Sequence, residues 1–524
     1  MTPAPTQAKT SSVARRWFTP SGAVVAELAA GVDAVSIFKA LAGGRYLIYF
    51  DSAAVDALPD TLPDAPVAPS VPRLGRYSFV AVDPIHSVVV EPNATAETID
   101  QAFAALKALR ADLACVTIPG LPPFQGGLAG LVSYECGLAR LGVAPARPPA
   151  AAVPLVSLHV YDVVCVFDHD LDRGWIISQG VPAKGPAARR TRATERLEAV
   201  LARLHDPASG AASEPRPMPQ AALLPPGAIY PLAKHPGVYS THSAASYRDM
   251  IRAGIEFVRA GDIFQVNLAQ RLAVAATHDP VELYLRARAI NPAPFAGYFD
   301  AGTAQIASMS PERFLQVVRG TVRMHPIKGT RRVIANPEAD LYAGDDLGGS
   351  AKDRAENVMI VDLVRNDLAR VCTAESVRVE ALCRLERYRY VQHLVSIVAG
   401  RLRPGLSALD ALDAALPGGS VTGAPKHRAC EIITALEGVA RGAYCGSLGY
   451  VGFDGTADFN LLIRTFVAAA GTITFAAGGG ITAASDPAAE HAESLHKAEG
   501  MLRVLDSFHD ESTPTAVATG EPAR

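Results

Sequence analysis

Two hydrophobic periods alternate along this chain, and the two-residue period dominates. Residues 45–50, 75–82, 86–90, 128–134, 156–168 and 174–178 read as strands, the last two bracketing HDLDR as a hairpin. Residues 100–109 predict a helix, with Phe103, Leu106 and Leu109 on one stripe, and 190–204 predict a surface helix. Further on, helices are expected over 247–260 (closed by Gly261), 280–290, 352–371, 422–436 and 488–507. In the fourth of these, Thr422 lies near the cap, Pro425 in the first turn and Gly438 after the end. Strands are expected over 263–274, 445–453, 461–468 and 472–476, with a hairpin over 297–309, while 391–400 fits either state. Strands far outnumber β–α–β alternations. The expected class is therefore α+β, with large, mostly antiparallel sheets in a two-subdomain sandwich and helices on the outside.

Punctuation divides the chain. Residues 1–20 read as a loose tail, 21–180 as a first region, 181–240 as a helix and Pro/Ala-rich linker, 241–508 as a second region and 509–524 as a second tail. The loop running to Pro72 is rich in Pro and Asp, and 206–233 is the strongest linker candidate. A linker does not make independent domains, because two such regions can share one sheet system. There is no internal repeat.

Composition narrows the class. Hydrophobic residues make up 49% and charged residues 19% of the 524 positions, enough apolar surface for a large core. A net charge of −3 gives no reason to expect nucleic acid or an anionic membrane as partner, and no apolar run reaches bilayer-spanning length. The seven cysteines are scattered and never spaced CxxC, which argues for a reducing compartment and against a disulfide framework or zinc site. The first sixteen residues lack an apolar h-region, so a cytoplasmic location is expected.

Candidate chemistry centres on 308–332, SMSPERFLQVVRGTVRMHPIKGTRR. Ser310-Pro311 breaks a strand, and 314–318 and 321–325 form two arms around Arg319-Gly320. Alternation puts Val322, Met324, Pro326 and Lys328 on one side. A lysine on an apolar face has its pKa lowered by desolvation and can act as nucleophile or base; it can equally snorkel to water. Glu356 shares a helix face with Met359, Ile360 and Leu363, so its carboxylate must be paired, protonated or metal-bound. Glu493 lies one turn after Glu490 and one before Lys497, which suits either a solvated ion pair or, together with Glu356, a Mg2+ seat. Gly478-Gly479-Gly480 and Gly418-Gly419-Ser420 could offer backbone N–H groups to an anion or simply form tight turns. Arg464 ends an apolar run and could fork onto a carboxylate, and His393 sits within YVQHL. No Ser–His–Asp arrangement, nucleophilic cysteine motif or Cys/His metal cluster is present.

Ordered strings now carry a resemblance. AGDIFQVNL (260–268), SPERF (310–314), HPIKGTR (325–331), AKDRAENVMIVDLVRNDLARV (351–371), GGSVTGAPKHRACEII (418–433), GSLGY (446–450), IRT (463–465) and GGGI (478–481) resemble the chorismate-utilising enzyme family. RYSFVAVDP (76–84) and FQGGLAGLVSYE (124–135) resemble the N-terminal domain of anthranilate synthase and aminodeoxychorismate synthase large subunits. Within that family anthranilate synthases read PIAGT where this chain reads PIKGT, the form found in aminodeoxychorismate synthases. NPAPF (291–295) and CGSLGY (445–450) lean the same way.

The resemblance implies that Lys328 attacks C2 of chorismate as the C4 hydroxyl leaves, and that ammonia then adds at C4 and displaces the lysine. It implies Glu312 as the general acid/base, His393 as an aid to proton transfer, and Glu356 and Glu493 as holders of Mg2+. Gly329, Thr330 and Ser420 would line the pocket, and Tyr444, Arg464 and the backbone at Gly478, Gly479 and Gly480 would bind a carboxylate. No glutaminase motif is present, so ammonia is expected from a separate glutamine amidotransferase subunit. Where anthranilate synthases carry an LLES-like tryptophan-binding motif this chain has IYFDS (48–52), which argues against tryptophan feedback. Alternatives are anthranilate synthase component I and a non-catalytic chorismate-binding partner.

Overall fold

A computed structural model describes residues 13–52, 74–144, 153–206, 229–332, 350–387 and 391–512. Most of the 206–233 linker and the Pro/Asp-rich loop at 53–72 lie outside them. Two antiparallel sheets carry the architecture. The larger has 14 strands. It runs from Val13–Phe18 through Val24–Leu28, Arg173–Ser178, Val163–Asp168, Tyr77–Ala81 and Ile48–Asp51, all from before the linker. It continues through Phe295–Asp300, Gln305–Ser310, Thr465–Ala469, Thr472–Ile481 and Gln265–Ala275 to the short strands Tyr239–Ser240 and Tyr230–Pro231. The second sheet has 10 strands and likewise draws on both halves: Ile327–Arg332, Val391–Arg401 (which also pairs Arg378–Arg387), Thr321–Met324, Arg313–Val318, Ala457–Asn460 and Ser447–Gly452 join Gly127–Val132, Val156–Tyr161 and His86–Val90. Both sheets therefore span the linker, and the two halves of the chain share one sheet system.

Alternation explains the layers. Val24, Ala26, Val163, Cys165 and Ile176 pack on one face of the larger sheet against helices, whereas Val25, Val164, Val166, Trp175 and Ile177 pack on the other. That second face meets Ala129, Leu131, Leu448 and Tyr450 of the smaller sheet, so an apolar layer lies between the sheets. Phe124 stacks on Tyr450 within it, ring centroids 4.4 Å apart. Helices cover the outside. Ala244–Arg259 buries Tyr247, Met250, Ile251 and Ile255 and begins in a capping box between Ser243 and Ser246. Among the described residues, no helix is long and apolar enough to cross a membrane.

Several sequence expectations need correction. Val13–Phe18, placed in the N-terminal tail, is a strand paired with Val24–Leu28; a short edge strand with polar outward positions reads like a tail. The run 156–168 is two strands, because Asp162 ends the first in one sheet and the chain starts the second in the other. Residues 461–464 are not strand but another such crossing. Residues 391–400 belong to the strand Val391–Arg401. The helix assigned from Thr422 is Lys426–Glu437; Thr422 caps nothing there, and its hydroxyl donates to the carbonyls of Gly418 and Gly419. The final helix, Pro487–Ser512, extends into the stretch read as a C-terminal tail. Helices Ala34–Ala40, Tyr134–Leu141 and Ala408–Ala415 were not anticipated, being short enough that few periodic positions mark them.

The Asp162 crossing rests on one clasp. Its carboxylate is fully buried and accepts from Arg196 Nη2 at 2.9 Å, while the same guanidinium donates to the Asp83 carbonyl at 2.7 Å. Arg196→Met should leave a buried, uncompensated charge and lower stability by about 3 kcal/mol, read as a fall in the urea unfolding midpoint. A midpoint equal to that of the parent would mean Arg192, 3.9 Å from Asp162, is sufficient.

Candidate active site

Two chain crossings between the sheets run side by side. One passes from Gln305–Ser310 in the larger sheet to Arg313–Val318 in the smaller, and Pro311-Glu312 makes the step. The other passes back from Ala457–Asn460 to Thr465–Ala469 through Leu461–Arg464. They are stitched together: Leu461 N donates to Glu312 O (3.0 Å), Met309 N to Arg464 O (3.0 Å), and the Ser310 hydroxyl to Leu461 O (2.6 Å). Glu312 and Arg464 thus leave regular strands at neighbouring points, and Arg464 adopts a positive φ of 50° to do so.

The hairpin after Glu312 turns at Arg319 and Gly320, whose φ values of 50° and 75° suit a two-residue turn between the paired Val318 and Thr321. The second arm does not run on to Lys328 as one strand. It stops at Met324, and Ile327–Arg332 starts afresh on the same neighbour, Val391–Arg401. Lys328 pairs with Leu394, the register shifts at Gly329 (φ 71°), and the Thr330 backbone pairs with His393.

Ser420 joins the acid to the amine. Its hydroxyl donates to Glu312 Oε1 at 2.8 Å, and its carbonyl accepts from Lys328 Nζ at 3.1 Å. Glu312 is 6% exposed, and burial pushes its carboxyl up to about 7 against the pull of Ser420, Lys328 and the Ile327 N–H. Burial also lowers the Lys328 amine below the ordinary lysine range. Glu356 opposes this most among the carboxylates, Lys497 reinforces it, and Glu312 and Glu493 oppose it further. An acid protonated in a good fraction near neutrality therefore stands beside an amine shifted towards its nucleophilic form.

His393 is buried, and burial, with the nearby Arg464 cation, lowers it to about 3 despite a backbone hydrogen bond to Gly329. It is a neutral ring near pH 7, hydrogen-bonded to the backbone of Gly329. Arg464 is half-buried, its pKa lowered by burial, and has no ion-pair partner among the described residues. A guanidinium in that setting is a receptor for an anion. Tyr444 is 8% exposed, in a turn tied to the same crossing by Cys445 N→Leu462 O at 2.7 Å.

The glycine triplet is not a turn. Gly478, Gly479 and Gly480 lie inside the strand Thr472–Ile481, paired with Ala269, Leu268 and Asn267. Glycine is needed for close approach at Gly478, where a Cβ would stand 2.0 Å from the Leu268 carbonyl oxygen; a Cβ at Gly480 would stand 1.8 Å from Gln265 Nε2, and one at Gly479 would stand 3.0 Å from Glu490 Oε2 and 4.0 Å from Glu493 Oε1. Lys497 spans the same place, 2.7 Å from Glu493 Oε1 and 3.1 Å from the Gly478 carbonyl. Glu356, half-buried on the helix Ala351–Ala369, and Glu493, exposed on Pro487–Ser512, both act on the charge of Lys328. No three His, Cys, Asp or Glu side chains form a ready metal cage among the described residues. Mg2+ commonly takes one or two carboxylates and completes its shell with water and substrate, so these hard oxygens beside a glycine cradle fit it.

Sequence reasoning did not single out Gln265 and Glu490, which stand beside Gly480 and Gly479. Glycines facing a polar side chain across a strand pair were the available signal for the first; the buried position of Glu490 (6% exposed) had none. The IYFDS stretch places Asp51 where Tyr49 and Tyr284 hydroxyls each donate at 2.8 Å and Arg288 Nε at 2.5 Å. Its carboxylate is engaged from three sides by the protein itself.

The chain matches the chorismate binding enzyme family over residues 69–503, and it belongs to that family. It is 39% identical over 444 residues to anthranilate synthase component 1 of Streptomyces coelicolor, covering 83% of this chain and 82% of that one. It is 38% identical over 386 residues to aminodeoxychorismate synthase component 1 of Klebsiella aerogenes, covering 74% and 78%. Its fold superposes on anthranilate synthase component I from Streptococcus pneumoniae with a TM-score of 0.66 at 29% identity, over 84% of this chain and 95% of that one.

Because the Ser420 hydroxyl stabilises the ionised Glu312, Ser420→Ala should raise that carboxyl's pKa above about 7. The protonated-carboxyl infrared band, assigned by its loss in Glu312→Gln, should then persist to higher pH. A band that titrates lower instead would show that the hydroxyl does not donate to Glu312.

Proposed function

We propose that this enzyme converts chorismate and ammonia to 4-amino-4-deoxychorismate, a step towards p-aminobenzoate and folate. The observation that carries the reading is Lys328, whose amine shares Ser420 with the buried acid Glu312. The amine lone pair forms a bond to C2, both ring double bonds shift by one position towards C4, and the C4 oxygen departs as water with the proton of Glu312. Ammonia then bonds at C4, both double bonds shift back, and the C2–nitrogen bond to Lys328 breaks, restoring the free amine, while the proton shed by the added ammonia returns to Glu312. Covalent attachment divides one difficult substitution into two easier ones and leaves the enolpyruvyl group in place. Arg464 and Tyr444, with the backbone of Gly478–Gly480, hold a substrate carboxylate, and neutral His393 fixes Gly329 and Thr330 beside the lysine. Bound Mg2+ would neutralise the ring carboxylate, and Glu356 and Glu493 are the residues that would hold it. Relatives designated component 1 support a second subunit as ammonia source, here a glutamine amidotransferase.

The competing reading, anthranilate formation with loss of pyruvate, draws on relatives of equal similarity. Incubation with chorismate, Mg2+ and ammonium, followed by mass analysis, should yield aminodeoxychorismate; fluorescent anthranilate accumulating without further enzymes would refute the proposal. Lys328→Ala should cut product formation by orders of magnitude or divert it to anthranilate, and an unchanged rate and product would remove the lysine from the mechanism.

Glu312 must be protonated to release water. The rate should therefore fall as pH rises through about 7, and Glu312→Gln should cost about 10²- to 10⁴-fold. A rate flat from pH 6 to 9 would assign the proton elsewhere.

A further inference from the structure

Behind the pocket walls lies a buried charged cluster that the mechanism does not use. The strand Gln265–Ala275 pairs along one edge with Thr472–Ile481, the glycine strand. Along its other edge it meets Gly423–Ala424 only at Gln265 and Val266, and Tyr239–Ser240 only at Leu272 and Ala273. Between them no strand of the described residues covers the edge; Asn267 N donates to the Thr422 carbonyl, Arg271 O accepts from Thr241 N, and side chains supply further partners. Ala269 N donates to Glu437 Oε1 (2.9 Å), and the Asn267 carbonyl accepts from Arg441 Nη2 (2.7 Å). Glu437 and Arg441 are themselves paired at 2.6 Å and 3.0 Å, each 6% exposed.

Arg441 reaches further. Its Nη1 donates to the Val421 carbonyl at 2.8 Å, one residue after Ser420, and its guanidinium lies 5.6 Å from the Tyr444 ring centroid. One planar cation thus touches three pieces of backbone or ring that flank the proposed pocket. The turn it begins is gripped from the other half of the chain: Glu135, in the helix Tyr134–Leu141, accepts from Arg441 N (2.6 Å) and Gly442 N (2.8 Å). A buried carboxylate taking two successive backbone N–H groups fixes their orientation.

We propose that Arg441 is a positioning residue that sets the spacing of the Ser420, Tyr444 and glycine-strand walls of the chorismate pocket, and that Glu135 ties that spacing to the N-terminal half. This rests on the pocket reading given above. Arg441→Lys keeps a charge near Glu437 but loses the fork that reaches both carbonyls. Glu135→Gln turns an amide donor towards one of two donors.

The test is titration calorimetry of the full chain with chorismate and Mg2+, at pH 8, where the Glu135 carboxyl (raised to about 7 by burial) is ionised. Arg464→Met serves as control for the pocket itself. In both Arg441→Lys and Glu135→Gln we expect about tenfold weaker chorismate binding with stoichiometry still near one, as misplaced walls would give. A merely structural role would lower the stoichiometry as protein unfolds while leaving the dissociation constant alone, and that result overturns the proposal. So do constants within about twofold of the parent in both variants when Arg464→Met binds poorly. An Arg464→Met variant that binds like the parent would fail the pocket reading, and the proposal with it.

Discussion

Moving a chain from one buried sheet to another breaks its hydrogen-bond ladder in the one place where water cannot repair it. This protein makes that move repeatedly, and its candidate active site lies where two of the moves run together. At Pro311-Glu312 and Leu461–Arg464 each crossing supplies partners to the other, through Leu461 N to Glu312 O and Met309 N to Arg464 O. The sheets cannot exchange strands here without bringing a carboxylate and a guanidinium out of regular strand geometry at adjacent points. Burial by the surrounding sheets then does the electrostatic work. It raises Glu312 to about 7, and it leaves Arg464 without a protein anion among the described residues.

Burial alone would make every titratable group in the pocket neutral. His393 shows that limit, at about 3. Glu312 and Lys328 are held short of it because each has something pulling back: a hydroxyl and an amine on the acid, and three carboxylates on the amine. Ser420 balances the two by presenting its hydroxyl to one and its carbonyl to the other. A residue that donates on one side and accepts on the other can serve an acid and an amine together, which a purely apolar contact could not.

The fold class was legible because two-residue alternation persists over most of the chain, and both faces of the larger sheet are apolar for the reason alternation gives. The crossings were less so. Residues 156–168 and 461–468 read as unbroken strands because the break in each is marked by a single polar position, Asp162 or Arg464, within an apolar run. Asp162 ends a strand only because Arg196 from a helix 34 positions on reaches it. Lys328 was visible as a misplaced charge, yet its connection to Glu312 through Ser420 was not, since Ser420 stands 92 positions away. Three consecutive glycines read as an anion-holding loop or a tight turn because glycine most often marks one; here they lie in a strand packed close against Leu268 and beside Gln265 and Glu490. Glu437 and Arg441 at four-residue spacing carry a local signal. Glu135, 306 positions from its partner, carries none.

Similarity over the whole chain does not separate the two reactions, since relatives named for each stand at 39% and 38% identity. That is what the physics leads one to expect. Both reactions begin with the same ring, the same leaving hydroxyl and the same incoming ammonia, so acid, anion receptors and sheet crossings are common requirements, and they make up most of what an alignment counts. A divergence in product needs only a change in what becomes bonded to the ring before ammonia arrives. On the proposed reading one side chain makes that change, an amine whose pKa is lowered by burial and which shares Ser420 with the acid, as Lys328 does. On that reading the discriminating information is concentrated in a residue whose weight in overall identity is negligible, and in the neighbours that set its charge.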